Sequence, residues 1–436
     1  MQRILRLGLG LAAAACLLPG AEGPKAAVFS CDATPDLGEP NIWVEPVKIV
    51  LDPLYAKGVV LEAAGRRYVI AAIDWCGIGG STDLALRTRM AKAAGTEVRF
   101  VALQSVHQHA APYIEGDAYR LLAQAGHPLL RMSDAYLEKL ARRLEEAVGG
   151  ALKRLEPFDR VGTARVEVER AGSERRLLKN GRIVTRYSST AKNPELAAEP
   201  EGDIDRDLRT VTLARGAKPL VRLHYYASHP QTFCCDGRVS ADFVGAARAR
   251  REQEEGVPQI YFTGGGGNVT VGKYNTGKDE EREALARRME AALRASAQAT
   301  RYQPAGKLEW RYEELRLPPR AELPDYKTPK DPILAYRAAI AVAFAGRTRP
   351  LPASALHLGG VSIVHLPGEP LLEFQRFAQN AAPDRFVAFA GYGDMAPGYL
   401  VPDEAHRLGG YEPSASNTAP GAEARIKEVL KKLLSP

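Results

Sequence analysis

Four apolar runs of strand length each lead to a residue that can hold a metal ion or move a proton. This spacing constrains the chain more than any bulk property. Residues 98–103 lead to His107-Gln108-His109, and residues 220–227 lead to His229-Pro230. Residues 361–366 lead to Gly368-Glu369, and residues 386–390 lie shortly before Gly398-Tyr399. Short apolar runs bounded by turn residues read as buried strands. In open α/β sheets, ligands bind at the carboxyl ends of strands. Ends brought to one centre would offer two or three imidazoles and one carboxylate, a plausible shell for a catalytic zinc. A metal-dependent hydrolase is the leading expectation.

The rest of the pattern alternates strands and helices. Residues 26–31 and 47–51 read as short edge strands, and residues 59–61 and 68–74 as a hairpin ending in Trp75-Cys76-Gly77. Residues 133–152 are a strong amphipathic helix that Ser133 and Asp134 can cap. Residues 161–168 form a strand feeding a polar stretch, 169–207, with few apolar anchors. Structureless stretches of that length are usually functional or mobile, so it is a loop or lid candidate. Strands 208–213 and 220–227 pair around Gly216, and helix 241–255 follows. Strand 259–263 then runs into Gly264-Gly265-Gly266-Gly267-Asn268. Helix 279–298, strand 308–316, helix 332–345 capped by Asp331, strand 360–366, helix 369–381, strand 385–390 and helix 422–434 complete the pattern. With no internal repeat and no clean linker, the expected fold is α/β, one domain of mixed β-sheets flanked by helices.

The first residues read as a secretory leader. Arg3 and Arg6 precede an apolar stretch, 7–18, too short to span a bilayer, and cleavage after Gly23 is expected. A lipoprotein reading with Cys16 is weaker, because Ala13 sits where leucine is preferred. The expected organisation is a leader over 1–23 and one domain over 24–436, acting in the periplasm or outside the cell. Composition, 45% hydrophobic and 25% charged, is that of a globular enzyme. The net charge of +7 is spread over mixed-sign helices, with no basic block carrying interleaved aromatics. Nucleic acid is therefore not an expected partner, although a mildly basic surface favours peripheral contact with anionic lipid. No feature sets an oligomeric state. Cys31, Cys76, Cys234 and Cys235 follow the leader, and the adjacent pair is expected to strain against a mutual bridge.

Each motif also has a plain explanation. An H-x-H pair can be core packing, a His-Pro can be any turn, and Glu369 can be a helix N-terminal acid. Tyr399 can pack on Pro397. The glycine run nearly spells a phosphate loop, Gly267-x-x-x-x-Gly272-Lys273, but Tyr274 cannot supply the hydroxyl that holds magnesium there. The better reading is a loop open to close approach, whose amides donate to an oxyanion.

Taken together, the motifs resemble the catalytic domain of neutral/alkaline, non-lysosomal ceramidases, particularly short bacterial relatives. Ser105 to Pro112 is similar to the family's His-Thr-His-Ser-Gly-Pro element. Ala227-Ser228-His229-Pro230, followed by Val239-Ser240-Ala241-Asp242, resembles its second histidine element. Gly264 to Thr270 resembles the glycine loop, and Pro367-Gly368-Glu369 the Pro-Gly-Glu element. Gly398-Tyr399-Leu400 and Gly409-Gly410-Tyr411-Glu412 match the late tyrosine region, and Arg175-Arg176 falls where relatives carry an arginine pair. The resemblance implies Zn2+ held by His107, His229, Glu369 and Tyr399. It also implies that His109 faces the substrate as proton donor or oxyanion stabiliser, and that the substrate is an N-acylsphingosine or related N-acyl lipid.

Around that core, Asp242 is expected to orient His109 or His229, and Thr270 is the less favoured covalent nucleophile. Arg176, Gly265, Gly266 and Asn268 are expected to touch substrate. Three departures from the family pattern bear on the substrate side. Ala110-Ala111 replaces Ser-Gly, Asn268-Val269-Thr270-Val271 replaces Asp-Val-Ser-Pro, and no immunoglobulin-like domain is expected after the catalytic one. The competing expectations are a metal-dependent ester or phosphoester hydrolase and a non-catalytic envelope lipid-binding protein.

Overall fold

Parallel strands need a crossover connection, usually a helix, and three such units organise this chain. The computed structural model describes residues 23–435, so the expected leader lies outside the described residues except for Gly23. In the first sheet, Arg66–Ile73 pairs in parallel with Val101–Ser105 through the helix Gly80–Ala94. In the second, Lys218–Tyr226 pairs with Gln259–Thr263 through Asp242–Glu255. In the third, Val361–His365 pairs with Phe386–Ala390 through Leu372–Ala381. Antiparallel strands extend each sheet: Tyr55–Ala63 and Lys25–Asp32, then Asp207–Arg215 and Arg160–Glu167, then Leu351–Leu358 and Leu308–Leu315. The sheets are mixed and flanked by helices, as the sequence pattern implies.

The carboxyl ends of the three parallel pairs are stitched to one another. Ser105 N donates to Tyr392 O at 2.7 Å, and Gly391 N donates to Thr263 O at 3.0 Å. Thr263 Oγ1 donates to Val106 O at 2.6 Å. The Gln104 amide reaches the carbonyl oxygens of Leu366, Ala390 and Gly391 from inside the core. Buried backbone groups must find partners, and these ends find them across sheets rather than within one. Beneath them, Val59, Ile70, Leu223, Ile260, Ile363 and Ala388 share one apolar core. Full burial of each larger side chain contributes roughly 1.5–3 kcal/mol. No described helix is long and apolar enough to cross a membrane.

Local chemistry sets most boundaries where the sequence puts them. Ser133 accepts from Tyr136 N to start the helix Asp134–Leu152, and Asp331 accepts from Ile333 N and Leu334 N to start Pro332–Ala345. Other expectations are corrected. Residues 98–100 form a single 3-10 turn, and the strand is Val101–Ser105. Of residues 47–51, only Ile49–Val50 is extended, pairing with Arg238–Val239. Glu369 is not helical. It precedes Pro370, and a residue before proline is disfavoured in the α region; the helix begins at Leu372. The strand Leu351–Leu358 was hidden by Pro350 and Pro352, and the helix Gly116–Gln124 by its glycine start. Cys234 and Cys235 are joined to each other, whereas Cys31 and Cys76 are free thiols.

Residues 169–207 are ordered by one side chain. The buried Arg186 guanidinium donates to the carbonyl oxygens of Glu174, Leu196, Glu199, Pro200 and Glu201. The hairpin Arg176–Lys179 with Arg182–Thr185, the strand Ser173–Glu174 paired with Val269–Thr270 and the short helix Glu195–Ala198 supply further structure. This segment is a pinned loop and not a structureless lid. Arg186→Ala removes the side-chain donor to the carbonyls of Glu174, Leu196 and Pro200. Each carbonyl left without a donor costs ~1–3 kcal/mol, so limited proteolysis should cut within residues 187–206 under conditions where the parent chain resists.

Candidate metal centre

His107 lies two residues past its strand, with φ of 75°, a conformation that a bulky side chain keeps only when its surroundings impose it. His107 N donates to Trp75 O at 2.8 Å, and its ring Nδ1 donates to Cys76 O at 2.5 Å. His229 follows Lys218–Tyr226, and its Nδ1 faces Gly266 O at 2.8 Å and Val269 O at 3.1 Å. Glu369–Pro370 pairs in parallel with Tyr399–Leu400, which sets the carboxylate and the phenol side by side. All four residues are buried.

A carbonyl oxygen can only accept, so in both rings Nδ1 carries the hydrogen and Nε2 presents a lone pair. Those lone pairs meet the Glu369 carboxylate. His107 Nε2 lies 3.2 Å and His229 Nε2 3.4 Å from Glu369 Oε2, and that oxygen is buried with no hydrogen-bond donor. Tyr399 Oη lies 3.4 Å from His229 Nε2. Acceptors packed this closely require a positive charge among them. The same demand appears in the protonation energetics. Burial works to lower His107, yet the Glu369 carboxylate and Cys76 raise it to about 10. Burial likewise works to raise Glu369, yet His107 and His229 hold it well below the usual carboxylate range.

A metal ion fits the same place. A tetrahedron with metal–ligand bonds of ~2.0–2.1 Å, as for zinc with nitrogen or oxygen donors, has edges of about 3.3–3.4 Å. The separations of 3.2 and 3.4 Å from Glu369 Oε2 match such edges. Pinning each Nδ1 to a backbone carbonyl is also how metal-binding imidazoles are held in orientation.

His109 is different. Its Nε2 sits 3.2 Å from His107 Nε2, and its Nδ1 is buried without a partner. Burial, then His107 and His229, push it well below the ordinary imidazole range. Neutral, with Nδ1 unpartnered, it can accept or pass a proton. The cavity in front of it has two lobes, about 280 and 390 Å³, which meet at Trp43, His109, Tyr399 and Tyr411. The Arg175 guanidinium lies 5.1 Å from the ring centres of both Tyr399 and Tyr411 and bonds Glu412 at 2.8 Å.

No family model and no curated protein matches the sequence. Solved structures do match. Neutral ceramidase from Pseudomonas aeruginosa aligns with a TM-score of 0.73 at 18% identity, over 95% of this chain and 74% of that one. A ceramidase complexed with C2 aligns with a TM-score of 0.72 at 16% identity, over 95% and 75%. The chain has the neutral ceramidase fold.

Within the neutral ceramidase fold, the residues expected from the sequence separate into two groups. His107, His109, His229, Glu369 and Tyr399 converge. The others serve the frame. Asp242 accepts from Thr232 N, Thr232 Oγ1 and Phe243 N, and it orients neither imidazole. Thr270 is fully buried, with Oγ1 accepting from Gly272 N at 3.1 Å, and it lines neither lobe. The glycine loop is not an oxyanion hole. The amides of Gly264, Gly265, Gly266 and Gly267 donate to Tyr226 O, Gln375 Oε1, Gly264 O and Pro370 O. Gly265, Gly266 and Asn268 line neither lobe. The glycines permit close packing: a Cβ on Gly266 would sit 3.0 Å from Ser228 N, and one on Gly267 would sit 2.9 Å from Glu369 O. The loop thereby brings Gly266 O to His229, and Asn268 Oδ1 accepts from Leu372 N.

Arg176 bonds Glu412 and Gly409 O away from the cavity, and its neighbour Arg175 is the one that lines it. Sequence reasoning also passed over Tyr392, whose ring stacks 4.4 Å from that of His107. It falls directly after Phe386–Ala390, and the strand-end logic applied elsewhere would have found it. Trp43 gave no such signal.

Proposed function

We propose that this chain is a zinc-dependent hydrolase of linear amides that splits an N-acyl lipid or a related amide into a fatty acid and an amine. The observation that carries the reading is the meeting of two imidazole lone pairs and an unpartnered carboxylate oxygen beside a cavity with apolar walls. The likeness to a neutral ceramidase and to a ceramidase complexed with C2 supports the amide class and the acyl chain. A single carboxylate among the donors favours one metal ion over the two-metal sites of many phosphoesterases.

His107, His229, Glu369 and Tyr399 would hold the ion. Zinc supplies Lewis acidity toward the scissile carbonyl and makes water acidic enough to attack near neutral pH. The protein's residues do the rest. His109, next to the donors and with Nδ1 unpartnered, takes a proton and delivers it to the leaving nitrogen. Arg175, fixed by Glu412 and by Gly267 O, holds positive charge against the Tyr399 and Tyr411 rings, where it favours negative charge developing on the carbonyl oxygen. The burial of these groups limits water around the reacting bond. As part of the same proposal, the leader read over residues 1–23 puts the activity outside the cytoplasm, within reach of envelope lipids.

The reading is tested by metal removal. Stripped with a chelator, the purified protein should lose hydrolysis of an N-dodecanoyl amide and regain it with about one equivalent of zinc. Full turnover by metal-free protein would overturn it.

A further inference from the structure

The smaller lobe is lined by two arginines, Arg320 and Arg337, with which no carboxylate forms an ion pair among the described residues. One of its walls is the helix Pro332–Ala345, whose sequence PILAYRAAIAVAFA contains a single charged residue, Arg337. Leu334, Arg337, Ala338 and Ala341 line the lobe, which is one face of a helix at i, i+3, i+4 and i+7. The reverse face, with Ala335, Tyr336 and Ala339, is buried in the core. The one charge on an otherwise apolar helix is thus turned toward the candidate metal centre. The Arg337 guanidinium lies 5.4 Å from the Trp43 ring centre, and among the described residues no carboxylate pairs with it.

Arg320 lines the same lobe. Its backbone N is held by Asn417 O at 2.9 Å, and its side chain has no carboxylate partner among the described residues either. Of the two acids that line this lobe, Glu369 belongs to the candidate metal centre and Asp325 accepts from Lys327 N and Thr328 Oγ1 in its own turn. Arg175 differs, since it is ion-paired within the protein to Glu412, a carboxylate it shares with Arg176. Arginine stays charged at any working pH, and its planar fork matches the geometry of a carboxylate, phosphate or sulfonate. Two unpaired forks beside an apolar wall suit an amphiphile with an acidic head better than a neutral one.

We propose that the substrate is an acidic N-acyl amine, an acyl chain joined through the amide to an amine that bears a carboxylate, with Arg337 and Arg320 receiving the carboxylate. Leu334, Ala338 and Ala341 then lie along the apolar part. This rests on the reading of the site as an amide hydrolase and narrows its substrate from N-acyl lipids in general to N-acyl amino acids. The reaction balances as a hydrolysis: water oxygen bonds to the acyl carbon, the C–N bond breaks, and the leaving nitrogen takes a proton. The products are a fatty acid and an amino acid.

The test compares N-dodecanoylglycine with N-dodecanoylethanolamine, which replaces the carboxylate by a neutral CH2OH, and includes N-dodecanoyltaurine for a sulfonate. The zinc-loaded chain should prefer the glycine conjugate in kcat/KM. Arg337→Gln and Arg320→Gln should each reduce that preference by about 10- to 100-fold, mainly through KM. A parallel preference for the taurine conjugate would assign the lobe to sulfonates instead. An equal loss on charged and neutral substrates, or a neutral preference in the parent chain, would overturn the proposal.

Binding of N-dodecylglycine, which has no amide carbonyl to cleave, is measured by calorimetry on metal-free protein. Tight binding that weakens in Arg337→Gln, with no hydrolysis of any substrate, would uphold the anion site while the hydrolase reading fails. Hydrolysis with no dependence on either arginine would do the reverse.

Discussion

His229→Ala removes bound metal and hydrolysis together. The ring is fully buried, and its two nitrogens serve different masters: Nδ1 is held by Gly266 O and Val269 O, while Nε2 faces Glu369 at 3.4 Å. Alanine deletes the donor and leaves a void that the rigid glycine loop cannot fill. Metal content measured by inductively coupled plasma mass spectrometry should fall from about one ion per chain to near none. Amide hydrolysis should drop at least ~1,000-fold, equivalent to ~4 kcal/mol of the several that a Lewis acid contributes. Thermal stability should lose its response to added zinc, because a ligand stabilises only the state that binds it. Stoichiometric metal in the variant would remove His229 from the ligand set, whatever happened to activity.

His107, His109, His229 and Glu369 were legible because each stands just past a strand whose apolar pattern is unmistakable, whereas Tyr399 lies farther beyond its strand. His107 and His229 follow buried strands, and strand ends are where such folds place chemistry. What the sequence hid was the difference between residues that face the cavity and residues that build it. Gly266 and Asn268 read as substrate contacts because a glycine loop after a strand so often is one. Here its amides are consumed by Tyr226, Gln375, Gly264 and Pro370. That outcome depends on partners far away in the chain. Asp242 was misread for the same reason, since its acceptors are taken by Thr232 and Phe243 only once the turn has formed. Arg175 sits at a bend between two short strands and Arg176 starts the second, and both reach Glu412, but only Arg175 also lines the cavity.

Removing the carboxylate between those two arginines should cost more stability than any surface change. Glu412 is fully buried and accepts from Arg175 Nε at 2.8 Å and Arg176 Nη1 at 2.7 Å. Breaking a buried pair leaves uncompensated charge, typically a loss of ~3–5 kcal/mol, and Glu412→Ala strands two guanidiniums at once. Urea unfolding should register the loss, with Glu412→Gln falling between parent and alanine because it keeps the shape and one acceptor. The pH profile carries the same signature. Burial works to raise Glu412, but Arg175 and Arg176 hold it below the ordinary range. A depressed folded value means that its contribution is complete above the unfolded value of about 4.3 and is lost as pH falls from there through the folded value. Glu412→Gln should therefore flatten the acid limb of the stability curve.

The alanine variant also separates frame from metal. Glu412 touches none of the four donors, so metal content should stay near that of the parent. Arg175, released from its anchor, should lose its place over Tyr399 and Tyr411, and kcat should fall about 10- to 100-fold in the fraction that remains folded. Lost activity with metal retained is the reverse of the pairing expected for His229→Ala. A variant with unchanged stability and unchanged kcat would show that water, and not Glu412, balances the two arginines.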